Sequence, residues 1–381
     1  MPVTPFTVSW DAEAVRRVLD RVRQHPFPPA PQGSGWRYGV EDGFLRDLCA
    51  YWTDGFDWQA AVANLNRFPQ FTATVDGFPL HFLHVRGEAT ERRPLLLTHG
   101  WPGSHFEFWK VIEPLAFPSR HGGRAEDGFD LVIPSLPGFG FSGRPAAPID
   151  QRRTAELFRQ LMTEVLGYPR FLAHGGDWGA MVTGYLGLDH GDAVAAAHMT
   201  MLFPQPGAEP DTAEEKEWAA KPPMIEQALG GYRHVQATKP GGLAQAMAGN
   251  PVGQAAWIIE RFHDWADLRE RPFEDVFTRD ELLTNVMIYV MTEAFATSTW
   301  FYVAAVEKAL RKLQPGQRVT TPTAFARFPD PLHPWPPRPF VEKGYTVSRW
   351  TDMPRGGHFA ALEAPDLLVD DLRDWAAAAW R

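Results

Sequence analysis

The sequence predicts an α/β chain in which a mainly parallel sheet, covered by helices, is interrupted by a long helical insertion. Three observations carry this. Short, wholly apolar segments such as Pro94-Leu-Leu-Leu-Thr98 alternate with helix-length segments up to Met201, the pattern of strands buried on both faces of a parallel sheet. The alternation stops near Phe203, gives way to a helical, aromatic-rich stretch reaching Gln317, and resumes at Val319. Between an apolar run, Phe171-Leu-Ala, and a helix-like segment starting at Ala180 stands His174-Gly-Gly-Asp-Trp-Gly179. Strand, Gly-x-nucleophile-x-Gly turn, helix is the layout of a nucleophile elbow.

That layout makes the expected architecture the α/β-hydrolase fold, with a helical lid inserted over the sheet and an N-terminal arm wrapping the core. Along the chain, Val15, Val18, Leu19 and Val22 form an i, i+3, i+4, i+7 stripe behind a cap at Asp11, which predicts an amphipathic helix over 10–24. Pro26, Pro28, Pro29 and Pro31 end it. A second helical region, 41–67, carries Leu45, Leu48, Trp52, Phe56 and Trp58 and reads as a packing arm. Asp76-Gly77 between alternating apolar residues predicts a hairpin over 71–86. Strands follow at 94–98 and 129–135, a helix at 151–166, and the elbow strand at 171–173. After the insertion, strands are expected over 319–326 and 344–350, and a last helix from Pro365. The units are then an arm (1–70), a first core part (71–202), a lid (203–317) and a second core part (318–381). The lid would lie over the carboxyl ends of the strands, where open α/β sheets bind ligands.

With 381 residues, 44% hydrophobic and 22% charged, the chain can bury one large core with an insertion. Its net charge of -9 with scattered basic residues argues against nucleic acid as a partner. Cys49 is the single cysteine and sits among Leu45, Leu48 and Trp52, a buried inert thiol. There is no apolar run long enough to anchor the chain in a membrane and no evident secretory leader, so a cytoplasmic placement is expected. Small molecules and water are the expected partners, and a homodimer stays open.

The central residue of the elbow is Asp177, where an acyl-transfer enzyme would place serine. A carboxylate there can displace at a saturated carbon and form an alkyl ester that water then hydrolyses. The base should lie in the last loop before the C-terminal helix, and His358 in Arg355-Gly-Gly-His-Phe-Ala360 occupies that place. The acid that orients it should follow the preceding strand. Asp330 is the first carboxylate there, with Glu342 and Asp352 as neighbouring alternatives and Glu293 a more remote one. The loop His99-Gly-Trp-Pro102 follows the strand that supplies one oxyanion donor. Backbone N–H groups of Trp101 and Trp178 are therefore expected to hold the ester oxygen. Opening an epoxide needs a donor to its oxygen, and a neutral tyrosine suits this. Tyr232, Tyr289 and Tyr302 lie in the insertion. Tyr289 reads as core, while Tyr232 and Tyr302 read either as donors or as packed aromatics. His190 and His198 do not share a helix face, and no carboxylate completes a metal-ligand spacing. Gly138-Phe-Gly-Phe-Ser-Gly143 lacks the context of a dinucleotide fingerprint. No metal or cofactor is expected.

Tyr51-Trp52, Phe56-Asp-Trp58, Leu65-Asn-Arg-Phe-Pro69, His99-Gly-Trp-Pro-Gly-Ser104, Pro134-Ser-Leu-Pro-Gly138, Gly175-Gly-Asp-Trp-Gly179 and Gly356-Gly-His-Phe-Ala-Ala361 together make the chain resemble the microsomal-type epoxide hydrolases over nearly its whole length. The resemblance implies that Tyr232, in Gly231-Tyr-x-His234, and Tyr302, in Phe301-Tyr302, are the lid donors to the epoxide oxygen. It also marks a departure. The family usually reads Phe-Pro-x-Glu or Phe-Pro-x-Asp, whereas Phe328-Pro-Asp-Pro331 brings its carboxylate one position early. The expected activity is opening of a bulky apolar or aryl epoxide to a vicinal diol, in detoxification or natural-product biosynthesis. A haloalkane dehalogenase with the same nucleophile is the alternative enzyme, and a catalytically silent ligand-binding homologue the alternative from another class.

Overall fold

The computed structural model describes residues 2–380; Met1 and Arg381, the ends of the expected arm and of the second core part, lie outside them. Among the described residues nine strands form one sheet in the order β1-β2-β3-β5-β4-β6-β7-β8-β9. From β5 (Asp130–Pro134) through β4 (Pro94–Thr98), β6 (Phe171–Gly175), β7 (Val194–Met199), β8 (Val319–Arg327) and β9 (Tyr345–Asp352) the pairings are parallel. Every residue of β4, β5, β6 and β7 is buried, because helices cover both faces and leave no position for a polar alternation.

The other edge is antiparallel. β2 (Gln70–Val75) and β3 (Phe78–Val85) form the expected hairpin. Its two turn residues, Asp76 and Gly77, both have positive φ, +45° and +76°, as a two-residue turn matched to the strand twist requires. The arm departs from expectation here. It is not only a wrapping segment, because β1 (Val3–Phe6) pairs antiparallel with β2 and forms the edge of the sheet. Its helices, Ala12–Arg23, Asp42–Asp54 and Trp58–Leu65, bury Val15, Val18, Val22, Leu48 and Trp52. The arm fastens to the lid as well as the core. Tyr51 donates to Asp280 at 2.7 Å, Trp109 in the core donates to Asn64 at 3.0 Å, and Trp36 stacks on His263 with ring centroids 3.9 Å apart.

The insertion between β7 and β8 is helical, from Ala213–Ala219 to Trp300–Glu307. Three of its contacts bind the loops that leave the carboxyl ends of β4 and β5. Asn285 donates to Pro102 O at 2.8 Å and accepts from the Ser104 hydroxyl at 2.9 Å, and Thr297 donates to Gly138 O at 2.6 Å. Tyr289 is buried, as its apolar surroundings predict, and its hydroxyl donates to Gly103 O at 2.7 Å. Cys49 is buried as expected, and burial pushes its thiol up to about 11. No helix among the described residues is long and apolar enough to cross a membrane.

Candidate active site

The elbow is built by close packing. A Cβ on Gly179 would lie 1.9 Å from Thr98 O, so the helix Asp177–Asp189 approaches β4 at a distance only glycine permits. Asp177 itself adopts φ +47°, a left-handed conformation that costs a non-glycine residue about 1 kcal/mol and turns its side chain out of the sheet. The carboxylate also stands at the start of a helix, where the macrodipole favours negative charge.

The loop after β4 closes on it. Trp101 N–H donates to Asp177 Oδ1 at 2.8 Å, and a Cβ on Gly100 would meet that same oxygen at 2.2 Å. Trp178 is the next residue of the helix; N–H groups of a first turn have no acceptor within their own helix. His99 serves the scaffold. Its Nδ1 lies 3.0 Å from Gly100 O and its Nε2 accepts from Leu136 N–H at 3.1 Å, with burial lowering its pKa to about 4.

His358 faces Asp177 from the opposite side, Nε2 to Oδ2 at 3.4 Å, and its Nδ1 lies 2.8 Å from Asp330 Oδ2. Asp330 is therefore the carboxylate against the imidazole. The alternatives are engaged elsewhere: Glu342 pairs with Arg338, Asp352 with Arg327 and Glu293 with Arg144. Asp330 is at once a turn residue and the partner of His358. Its Oδ1 accepts from Leu332 and His333 N–H at 2.7 and 3.2 Å, which leaves Oδ2 aimed at the ring. This local turn is how a carboxylate one position early still reaches the histidine.

Burial alone would lower His358, but Asp330 and Asp177 outweigh it and hold the imidazole well above its ordinary range. Burial would likewise raise Asp330, yet His358 and His333 hold it below the usual carboxylate range.

Tyr232 and Tyr302 come from two lid helices and converge over Asp177. Their rings stand 5.9 Å apart at 86°, Tyr232 stacks on Trp101 at 5.5 Å, and Tyr302 lies edge-on to Trp178 at 4.6 Å. Tyr302 is 2% exposed; its hydroxyl meets no partner at hydrogen-bond geometry among the described residues, and the Tyr232 phenol is the neighbouring hydroxyl that interacts with it. Burial raises the pKa of both phenols, so they carry their protons at neutral pH.

Sequence reasoning missed the support of His358. Its own N–H donates to Trp265 O at 3.0 Å. The neighbouring Gly356 N–H donates to Asp267 at 3.1 Å, and Gly357 and Phe359 N–H donate to Glu363 at 2.8 Å each. Glu363 also accepts from Asp267 N–H at 2.8 Å, so one buried carboxylate ties the histidine loop to the lid. His333 was missed too; it lies 3.4 Å from Asp330 Oδ2. Its spacing, three residues after Asp330 in a Pro-rich turn, was the signal available. Asp330, His333 and His358 are the trio whose ligand atoms lie within 4.8 Å of one another, but Asp330 Oδ2 faces both imidazoles and acts as a shared acceptor. His190 and His198 have separate partners, Glu156 and the pair His174 and Asp371.

Residues 3–108 match the family described as epoxide hydrolase N terminus, and residues 93–231 match the alpha/beta hydrolase fold. The chain is 32% identical to epoxide hydrolase 1 of Oryctolagus cuniculus over 97% of this chain and 88% of that one. The chain belongs to the epoxide hydrolase family. Solved epoxide hydrolases superpose on it closely. The Bombyx mori juvenile hormone epoxide hydrolase aligns with a TM-score of 0.89 at 27% identity, covering 99% of this chain and 94% of that one. The Aspergillus niger epoxide hydrolase aligns with a TM-score of 0.84 at 30% identity, covering 100% and 97%. The α/β-hydrolase fold and the family resemblance read from the motifs both hold.

Proposed function

We propose that this epoxide hydrolase opens an apolar, bulky or aryl epoxide to a vicinal diol through an alkyl ester on Asp177. The observation that carries the reading is the placement of the Asp177 carboxylate, with Oδ1 on the Trp101 N–H and Oδ2 facing His358. Asp177 attacks a ring carbon, the carbon–oxygen bond breaks, and the departing oxygen takes a proton from Tyr302 or Tyr232. Esterification removes the charge of Asp177, one of the two anions that hold a proton on His358. The imidazole then passes that proton to the tyrosinate and becomes the base. It takes a proton from water, whose oxygen adds to the ester carbon. Charge builds on Oδ1 against the N–H groups of Trp101 and Trp178. On collapse the new carboxyl proton moves to the leaving alkoxide, which restores Asp177 and frees the diol. Asp330 orients the imidazole and supports its charged form.

A single turnover with excess enzyme in heavy-oxygen water tests this. Unlabelled diol is expected, since its new oxygen comes from Asp177; labelled diol means that water attacked the ring directly and sinks the reading. His358→Gln is expected to stall at the ester, seen as the substrate mass added to the peptide holding Asp177. Halide displacement by the same nucleophile is a second reading, favoured only by the indole N–H groups of Trp101 and Trp178, which lack partners among the described residues. Halide release from a haloalkane distinguishes the two.

A further inference from the structure

Beside the catalytic residues lies a separate, partly open pocket, walled by Phe203, Trp218, Ile225, Leu332 and Trp335. Two of its lining residues adjoin the site. His333 touches Asp330, and Arg233 follows Tyr232 in the same helix. An apolar wall explains itself by the substrate it would hold. Two arginines in that wall do not.

Arg233 and Arg311 both line the cavity. Arg233 has a counter-charge in Glu226, its Nε lying 3.3 Å from Oε1. Arg311 has none. Among the described residues no carboxylate lies within ion-pair distance of it, and its guanidinium rests over the Phe203 ring at 5.4 Å. Burial lowers the pKa of Arg311, and burial together with the charge of Arg311 lowers Arg233 to about 10. The guanidinium stays charged even so, and a partly buried charge without a counter-ion carries a desolvation cost. Two positive groups set against one carboxylate leave a single uncompensated positive charge at the end of an apolar chamber. The backbone carrying Arg311 is held in place, since its carbonyl accepts from Gln205 N–H at 2.9 Å and Leu313 N–H donates to Gln205 O at 2.8 Å. The charge is therefore presented by a fixed element.

We propose that this cavity is an anion subsite, in which Arg311, with Arg233 beside it, binds a carboxylate carried on an apolar arm of the epoxide substrate. The inference rests on the epoxide-opening reading above. A monoanion matches the single uncompensated charge, and a planar carboxylate fits the fork of a guanidinium. The aromatic and aliphatic wall takes the arm that joins the carboxylate to the ring.

The test compares an ω-epoxy alkanoic acid with its primary amide on the purified full-length enzyme near neutral pH. In the wild type, kcat/KM for the acid is expected to exceed that for the amide by about tenfold or more, carried mainly by KM. In Arg311→Gln that ratio is expected to fall to about one. Without any variant, a medium-chain alkanoate should inhibit the wild type about tenfold more tightly than the corresponding amide. A wild-type ratio at or below one overturns the subsite, as does equal inhibition by alkanoate and amide. So does an Arg311→Gln enzyme that slows both substrates equally, since the guanidinium would then act on the tyrosines instead. If neither substrate nor a neutral aryl epoxide is turned over, the parent reading fails; turnover of both without charge preference fails the subsite alone.

Discussion

Tyr302→Phe should raise stability and lower activity at once, and the two signs come from the same atom. The phenol is 2% exposed and its oxygen meets no partner at hydrogen-bond geometry among the described residues. A buried hydroxyl left unpaired costs about 1–3 kcal/mol, so its removal at nearly constant shape should stabilise the fold by about 1 kcal/mol. For a chain of this size that is a rise of roughly 1–2 °C in Tm. In the proposed mechanism the same oxygen is a donor to the departing epoxide oxygen. Loss of one preorganised donor to a developing oxyanion in a water-poor site costs about 10²–10³ in rate. Tyr232 remains in the variant, its ring 5.9 Å away, so the lower end of that range, about 10², is expected.

Steady-state kcat/KM on an aryl epoxide and thermal unfolding by circular dichroism read the two effects on one preparation. A variant that keeps activity within about threefold removes Tyr302 from the chemistry, whatever its Tm. One that loses stability shows that the hydroxyl has a structural partner, and the argument from its unpaired state falls. Replacing both tyrosines should leave no measurable opening, because the hydroxyl of Tyr289, the third lid phenol, is committed to Gly103 O. Since burial raises both phenols above their ordinary range, they should add no loss of activity as pH rises to about 9.

Three further outcomes follow from the geometry. Asp330→Asn removes the anion 2.8 Å from His358 Nδ1 and should slow ester hydrolysis on the order of 10³-fold, so the alkyl-enzyme accumulates in rapid-quench mass spectra; unchanged turnover would reassign the acid. Burial pushes Glu363 up to about 7 from 4.5, so the native state holds a proton there that the unfolded chain releases. The corresponding stability, about 3 kcal/mol, is complete below pH 4.5 and is lost as pH rises through 7. Glu363→Gln should flatten that decline in a Tm-against-pH series, and an unchanged slope refutes the assignment. Gly179→Ala drives a Cβ to 1.9 Å from Thr98 O and should cost about 3 kcal/mol or more, read as loss of soluble protein or a large fall in denaturant midpoint.

What was legible in the chain divides by how local the constraint is. β4, β5, β6 and β7 announce themselves because burial on both faces forbids a polar residue at nearly every position. Asp177 and His358 were legible because the glycines that let each loop approach adjoin them in sequence. β1 was not. Val3–Phe6 is short, largely exposed and contains Pro5, and an edge strand of that kind carries no alternation to read.

The choice among Asp330, Glu342, Asp352 and Glu293 could not be made from order alone, since each follows a plausible break. It is decided by a turn in which Asp330 spends one oxygen on the N–H groups of Leu332 and His333 and keeps the other for His358. Glu363 lay further out of reach. Its three acceptor bonds go to backbone N–H groups, one of them 96 residues away, and backbone donors are common to almost every residue and leave no side-chain signature. The residues proposed to carry out the bond changes are thus written in local motifs. Those that hold the imidazole in line, and an Arg311 without a counter-charge among the described residues, become visible only when distant segments are placed against one another.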